Sequence, residues 1–276
     1  IQFYYDDIQE IARRGLESVI EVEMALIPIL MRMKDRGVRI DTSALEPLLV
    51  ETEADAAVKA ARVHQLAGGP FNIDSGDQLA KILFDNMGFR GLKLTGKRKR
   101  QSVDEEVMRQ LEVTYPESEL PGAILDYREV SKIKSTYLEP LLRLVDENGY
   151  IHPTLRQTGA STFRFSAEKP NYQNQPSRNV HWKKKIKGLY LASSGNKLVS
   201  IDYGQLELRV AAALSRDEVM LAVFDSGGDI HRKTMIDILH SEDEISPTGT
   251  NLRTLAKNIN FGALYGLGGS GLRRYL

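Results

Sequence analysis

The sequence predicts an α+β protein in the order helical arm, small sheet, helices. Three observations predict it. Apolar residues recur every three to four positions through the first half, between recognisable caps. After Asn148-Gly149 the pattern breaks into short runs rich in β-formers and bounded by turn residues. Beyond Tyr203 the helical spacing returns.

The first helix is predicted over 16–34, from Val19, Val22, Leu26, Ile29, Leu30 and Met33, with Pro28 as a kink and Gly37 as its close. A second starts near Asp41-Thr42-Ser43, tolerates Pro47 in its first turn and runs to Ala67 before Gly68-Gly69-Pro70. Ser75 caps a shorter helix through Leu79, Ile82 and Leu83. Ser102 to Glu105 has the capping-box spacing and opens another. Residues 122–145 read as one long helix with an interior Pro140. Four short strands are predicted at 150–157, 161–166, 188–192 and 197–203, then three helices at 206–214, 230–239 and 252–265.

The 276 residues include 37 Lys+Arg against 37 Asp+Glu, so net charge is zero and any case for an anionic partner has to rest on local clusters. The absence of cysteine excludes disulfide scaffolds, thiol catalysis and cysteine-based zinc sites. No apolar run approaches the ~18 residues of a membrane span, which predicts no membrane partner, and with no signal peptide visible a reducing cytoplasmic setting is expected. The chain opens on Ile1 and closes just after Arg273-Arg274, which reads as a fragment.

Two stretches carry candidate chemistry. Leu198, Val199 and Ile201 read as a buried strand that delivers Asp202 at its end. A carboxylate on a rigid strand end is one way to hold a divalent cation against a phosphate; Asp is equally a preferred cap for a helix beginning at Gly204, and the position alone leaves both open. In the second stretch, Arg253, Lys257, Phe261 and Tyr265 recur every four residues on one helix face. Each step rises about 6 Å, so the row spans about 18 Å, the reach of a nucleoside triphosphate. The cations lie at the N-terminal end, where the helix dipole favours phosphate, and the aromatics lie where a sugar and base could pack. An amphipathic helix with core-facing rings fits the spacing as well.

Softer signals are basic: Lys93, Lys97, Arg98, Lys99 and Arg100 around Gly96; Arg178, Lys183, Lys184, Lys185 and Lys187; and Arg128, Lys132 and Lys134 interleaved with Ser131, Ser135 and Thr136. These residue types contact nucleic-acid backbones, and they also make ordinary solvated surfaces. The glycine-rich end after Gly266 lacks the Gly-Lys-Ser/Thr of a P-loop, and five scattered histidines argue against zinc.

Residues 201–209, IDYGQLELR, resemble motif A of the family A DNA polymerases, which include bacterial polymerase I-like enzymes and phage replicases. RTLAKNINFGALYG at 253–266 resembles their motif B, TFRFS at 162–166 with PNYQN at 170–174 their primer-template loop, YREVSKIKSTY at 127–137 their thumb-base helix, and Asp229-Ile230-His231 the start of a fingers helix. The resemblance implies a right-hand architecture, with helical thumb and fingers around a small antiparallel palm sheet: a lead-in at 1–40, thumb at 41–140, palm at 141–205 and fingers from 206 to 276. It implies nucleotidyl transfer of a dNTP to a primer 3′-OH with two Mg²⁺ ions. Asp202 would be a metal ligand, Tyr203 would lend its carbonyl, and Arg253 and Lys257 would face the triphosphate with Gln205 and His231. Glu207 would guard against a ribose 2′-OH, Phe261 would pack on the sugar, and Tyr265 would lie at the templating base. Arg164, Asn171 and Gln173 would touch primer-template DNA, as would the basic groups Arg128, Lys132, Lys134, Lys97 and Arg98.

The family's second catalytic carboxylate follows a histidine in a later hairpin, expected beyond Leu276. A fragment, a split enzyme completed by a C-terminal segment or subunit, and a non-catalytic primer-template binding module are therefore all open. The Ala160-to-Arg164 loop looks more like phage-type relatives.

Overall fold

The structure, a computed structural model, describes residues 2–91, 93–94, 100–176, 180–246 and 251–272. The chain divides into two compact units, Ile1–Leu198 and Val199–Leu276.

The first unit opens with α1 (Gln2–Arg14) and α2 (Glu17–Arg36). Gly37 ends α2 at φ 66°, and a Cβ there would lie 2.8 Å from the Ile151 carbonyl and from the His152 ring, so the turn requires glycine. A strand that the sequence did not betray follows, β1 (Val38–Ile40); three residues are too few to show alternation. Next comes α3 (Thr42–Ala67), bounded as expected: Asp41 Oδ1 accepts the Ala44 N–H at 3.1 Å, and Gly68 closes the helix at φ 81°. Ser75 caps α4 (Gly76–Ala80), which widens into a π-helical turn at Lys81–Asn86. The cap of α5 (Glu105–Thr114) is Asp104 rather than Ser102. Asp104 Oδ1 takes the Val107 N–H at 2.9 Å, while the Ser102 hydroxyl takes that of Asp104 at 3.2 Å.

The predicted long helix is α6 (Leu120–Lys132), a π-helical turn (Ile133–Leu138) and α7 (Glu139–Leu144). The widened turn falls where Pro140 has no N–H to return and its ring crowds the preceding carbonyls.

The strands β2 (Tyr150–Ile151), β3 (Thr154–Arg156) and β4 (Ser166–Glu168), the helix α8 (Val180–Gly188) and the strand β5 (Tyr190–Leu191) complete the unit. The single strand predicted over 150–157 is thus two, split at His152-Pro153, because Pro153 offers no ladder N–H. The strand expected over 161–166 begins only at Ser166, since Phe163 holds φ 58°, outside extended backbone. Part of the basic run near Lys183 is helix α8. One antiparallel sheet has the order β2-β1-β5, with Val38 opposite Ile151, Arg39 opposite Tyr150 and Leu191, and Ile40 opposite Tyr190; β3 and β4 pair separately, Leu155 opposite Ala167.

Two cores hold this unit. Ile40, Leu45, Leu48, Ile133, Leu141, Ile151, Trp182 and Ile186 join the sheet to the helix bases. Val63, Leu79, Leu83, Met108, Leu111 and Ile124 fill the space between the far ends of the helices.

The strand expected over 197–203 does not form. Leu198, Val199 and Ile201 are 64%, 77% and 90% exposed. A strand needs neighbouring N–H and C=O groups, and no described strand pairs with this segment.

The second unit contains α9 (Leu206–Ser215), α10 (Glu218–Asp225), α11 (Ile230–Leu239), α12 (Leu252–Leu264) and the short α13 (Gly269–Leu272). Asp217, Asp229 and Asn251 cap α10, α11 and α12. Its core is small: Leu208, Ala212, Phe224 and Ile230, with Phe261 packed against them from α12. No described helix is long and apolar enough to cross a membrane.

Candidate functional site

The every-fourth-residue row on α12 is preserved in three dimensions. Phe261 and Tyr265 stack with ring centroids 6.4 Å apart at 16°, and Lys257 Nζ lies 5.9 Å from the Phe261 centroid. The helix therefore presents two cations and then an aromatic platform along one face. Asn251 starts the helix at the right phase by accepting the Thr254 N–H at 2.7 Å.

The ends of α9, α11 and α12 meet at Asp229. Its Oδ1 accepts the backbone N–H of His231 at 2.8 Å and Gln205 Nε2 at 3.2 Å, and its Oδ2 accepts Arg253 Nη2 at 2.6 Å and Nε at 3.1 Å. Gln205 Oε1 in turn accepts the Ile230 N–H at 3.2 Å, so this amide is gripped at both ends while its backbone turns at φ 57°. Burial alone would raise the Asp229 pKa; the hydrogen bonds from Arg253 and His231 outweigh it and hold the group below the usual carboxylate range.

His231 is 3% exposed. Burial lowers its pKa, and the nearby Arg253 and Lys257 charges push the same way against Asp229. Asn260 Nδ2 donates to His231 Nδ1 at 3.0 Å, and Asn260 Oδ1 lies 2.9 Å from the Thr234 hydroxyl. A neutral ring whose Nδ1 accepts carries its proton on Nε2, ready to donate.

At the aromatic end, the Tyr265 hydroxyl donates to Glu207 Oε2 at 2.5 Å, tying the last residue of the row to the first turn of α9. Asp202 and Tyr203 are exposed and precede α9. The cap position of α9 is Gln205, without a side-chain cap bond, so the capping role open to Asp202 on sequence grounds is not the one it takes. Among the described residues no group of three or more His, Asp and Glu could hold a metal.

The residues expected on DNA are spread over the first unit. Arg164 and Asn171 are exposed in the β4 loops. Asn171 Oδ1 accepts the N–H groups of Gln173 and Asn174, and Gln173 Oε1 accepts that of Ala167 at 2.8 Å, so these two order their own loop. Arg128 is half-buried and donates to the Val103 carbonyl at 2.6 Å, and burial lowers its pKa. Lys134 pairs with Glu53 at 2.9 Å and Glu139 at 3.7 Å; Lys132 is exposed. Lys97 and Arg98 lie outside the described residues. Of their neighbours, Lys93 bridges Asp104 and Glu106, and Arg100 pairs with Asp77.

Sequence reasoning passed over Asp229 and Asn260 as partners. Both fall inside stretches that resemble family motifs, and Asp229 also holds a cap position one residue before Ile230, but no contact of either could be read from spacing.

Residues 42–276 match DNA polymerase family A. A thermostable DNA polymerase I from Thermus thermophilus is 40% identical over 250 residues, covering 90% of this chain and 29% of that protein. DNA polymerase I of Geobacillus stearothermophilus is 37% identical over 273 residues, covering 98% and 30%. A solved POL domain of Pol1 from M. smegmatis, in complex with DNA primer-template and dNTP, superposes with a TM-score of 0.85 at 28% identity, over 96% of this chain and 46% of that one. The chain thus spans about three-tenths of these curated relatives and about half of the solved domain. The α+β fold, the ordered motifs and a match over most of the chain agree: this chain belongs to DNA polymerase family A.

Proposed function

We propose that this chain is the thumb, part of the palm and the nucleotide-binding part of the fingers of a DNA-templated DNA polymerase working in the cytoplasm. The lead-in is 1–40, the thumb 41–140, the palm 141–205 and the fingers 206–276. The observation that carries the reading is the α12 row, because its cations and rings share one face and each end is tied to a neighbouring helix.

A dNTP laid along this face puts its phosphates by Arg253 and Lys257, its sugar on Phe261 and its base toward Tyr265. Gln205 and His231 approach the phosphates from the ends of α9 and α11; His231 contributes a neutral N–H donor. Arg253 and Lys257 offset the charge that develops on the leaving pyrophosphate. Glu207, on the first turn of α9, closes the sugar side against a 2′-OH. Arg164, Asn171 and Gln173 shape the loop at the primer end, and Arg128, Lys132, Lys134, Lys97 and Arg98 serve the duplex backbone.

The donor set fits one edge of a magnesium site. The Asp202 carboxylate, exposed and free of a capping role, and the Tyr203 carbonyl could hold an ion, but two ions need at least one more carboxylate than the described residues bring together. When bound, two magnesium ions would acidify the primer 3′-OH and brace the transferring phosphate. The further acidic ligand then comes from a C-terminal segment or a complementing subunit.

Primer extension tests this. The 276-residue chain alone should extend no primer with Mg²⁺ and four dNTPs, and supplying the missing part in cis or in trans should restore templated synthesis. Strong extension by the chain alone contradicts the incomplete metal site. DNA binding that never becomes synthesis, whatever part is supplied, favours the second reading, a non-catalytic primer-template module.

A further inference from the structure

We infer that Asp229 is a positioning residue that aligns Gln205, His231 and Arg253 on one ligand, an inference that rests on the triphosphate reading of this site. The three residues come from three helix ends, and the Asp229 carboxylate is their shared partner. A carboxylate offers about four lone-pair sites. Here Oδ1 takes two donors and Oδ2 takes two, so none is left for a metal ion, which separates Asp229 in role from Asp202. Arg253 uses its Nε/Nη2 edge on Asp229, leaving the Nη1 side of the fork for a second anion. Asp229 thus removes rotamer freedom from the guanidinium before the ligand arrives, and fixes the first turn that carries His231. The depressed Asp229 pKa agrees with a carboxylate that stays charged to do so.

The geometry makes a prediction opposite to that of net charge. Asp229→Asn makes the site one unit more positive, so simple attraction for a triphosphate would rise. Asn is also a good cap, so α11 keeps its start. What it cannot do is cap α11 and accept from Arg253 together, because with its one oxygen on the His231 backbone N–H its amide nitrogen faces the guanidinium, donor against donor. Losing the orientation of one long side chain corresponds to about tenfold in binding.

The test uses the polymerase restored with its C-terminal part, and this chain by itself for spectroscopy. In single-nucleotide incorporation, Asp229→Asn should raise the dNTP KM about tenfold, with a smaller change in kcat and unchanged DNA affinity. Asp229→Ser, a second cap-competent variant, should do the same. In the chain alone, the Arg253 Nε–H should be protected from exchange, and Asp229→Asn should remove that protection while circular dichroism stays unchanged. A KM that is unchanged or lower in both variants, or an Arg253 Nε–H indifferent to the substitution, overturns the role of Asp229 and leaves the polymerase reading standing. A restored wild type that does not respond to dNTP overturns that reading, and the inference with it.

Discussion

Helices α6 and α12 both carry basic rows in the sequence, and folding uses them differently. On α6 and the π-helical turn after it, Arg128 reaches a backbone carbonyl and Lys134 pairs with Glu53, each with a separate partner. On α12, Arg253 is held by an acid that also grips two neighbouring helix ends, and Lys257 lies beside a stacked pair of rings. On the proposed reading, a run of cations becomes a site when its neighbours aim it at one face. Where each cation finds a separate partner, the run mostly holds the fold together and adds a diffuse positive field.

The sharpest way to break this contrast is at Asp202, which the proposed reading makes a metal ligand. In the restored polymerase, Asp202→Asn should cost several orders of magnitude in turnover while duplex DNA still binds, because an amide cannot supply the charge that metal-assisted transfer needs. Near-normal turnover would remove Asp202 from the chemistry.

The aromatic end gives the next largest effect. On the proposed reading Phe261 would offer the sugar only an apolar ring, so a dideoxynucleotide would leave the polar surroundings of the missing 3′-OH unpaired and should be disfavoured. Phe261→Tyr should remove most of that discrimination. Glu207→Ala should instead admit ribonucleotides, although Tyr265 also loses its partner. Ratios of kcat/KM for dNTP, ddNTP and rNTP read both, and equal use of ddNTP and dNTP by the unmutated Phe261 enzyme contradicts the sugar contact.

Two histidines sharpen the comparison by pH. In the first unit, His152 Nδ1 lies 2.7 Å from the Lys34 carbonyl and Nε2 3.2 Å from Asp146 Oδ2, contacts that raise its pKa. Its contribution is present below about 6.5 and is lost as pH rises through the raised folded value. In the second unit the lowered His231 pKa has the opposite sign: its contribution is present above about 6.5 and is lost as pH falls through the lowered value. Histidine NMR titration should place His152 above and His231 below the ordinary value; the reverse order would contradict both environments.

The smallest effect belongs to α6. Lys132→Ala should weaken binding to all duplexes alike and lower the salt slope by about one unit, as expected for one phosphate contact. Lys134→Ala should do less, because Glu53 already offsets its charge.

Elements that announce themselves through caps and long apolar spacing were legible in the sequence. Asp41 and Gly68 bound α3, and the predicted helices at 206–214, 230–239 and 252–265 match α9, α11 and α12 closely. Very short elements were not, because β1 has three residues and takes its identity from its partners. Leu198, Val199 and Ile201 have strand composition, but composition supplies no hydrogen-bonding neighbour. The α12 row was legible because it is periodic. Asp229 and Asn260 were not, since their roles depend on helix ends that lie far apart in sequence and meet only in the fold.

The most direct measurement is a double comparison in the restored polymerase, of Arg253→Ala and Lys257→Ala on α12 with Lys132→Ala on α6, reading dNTP KM and kcat beside the DNA Kd. If α12 is the triphosphate cradle, its variants should raise KM or lower kcat with DNA affinity unchanged, and Lys132→Ala should change DNA affinity alone. Loss of DNA affinity in the α12 variants with normal nucleotide kinetics would contradict the cradle.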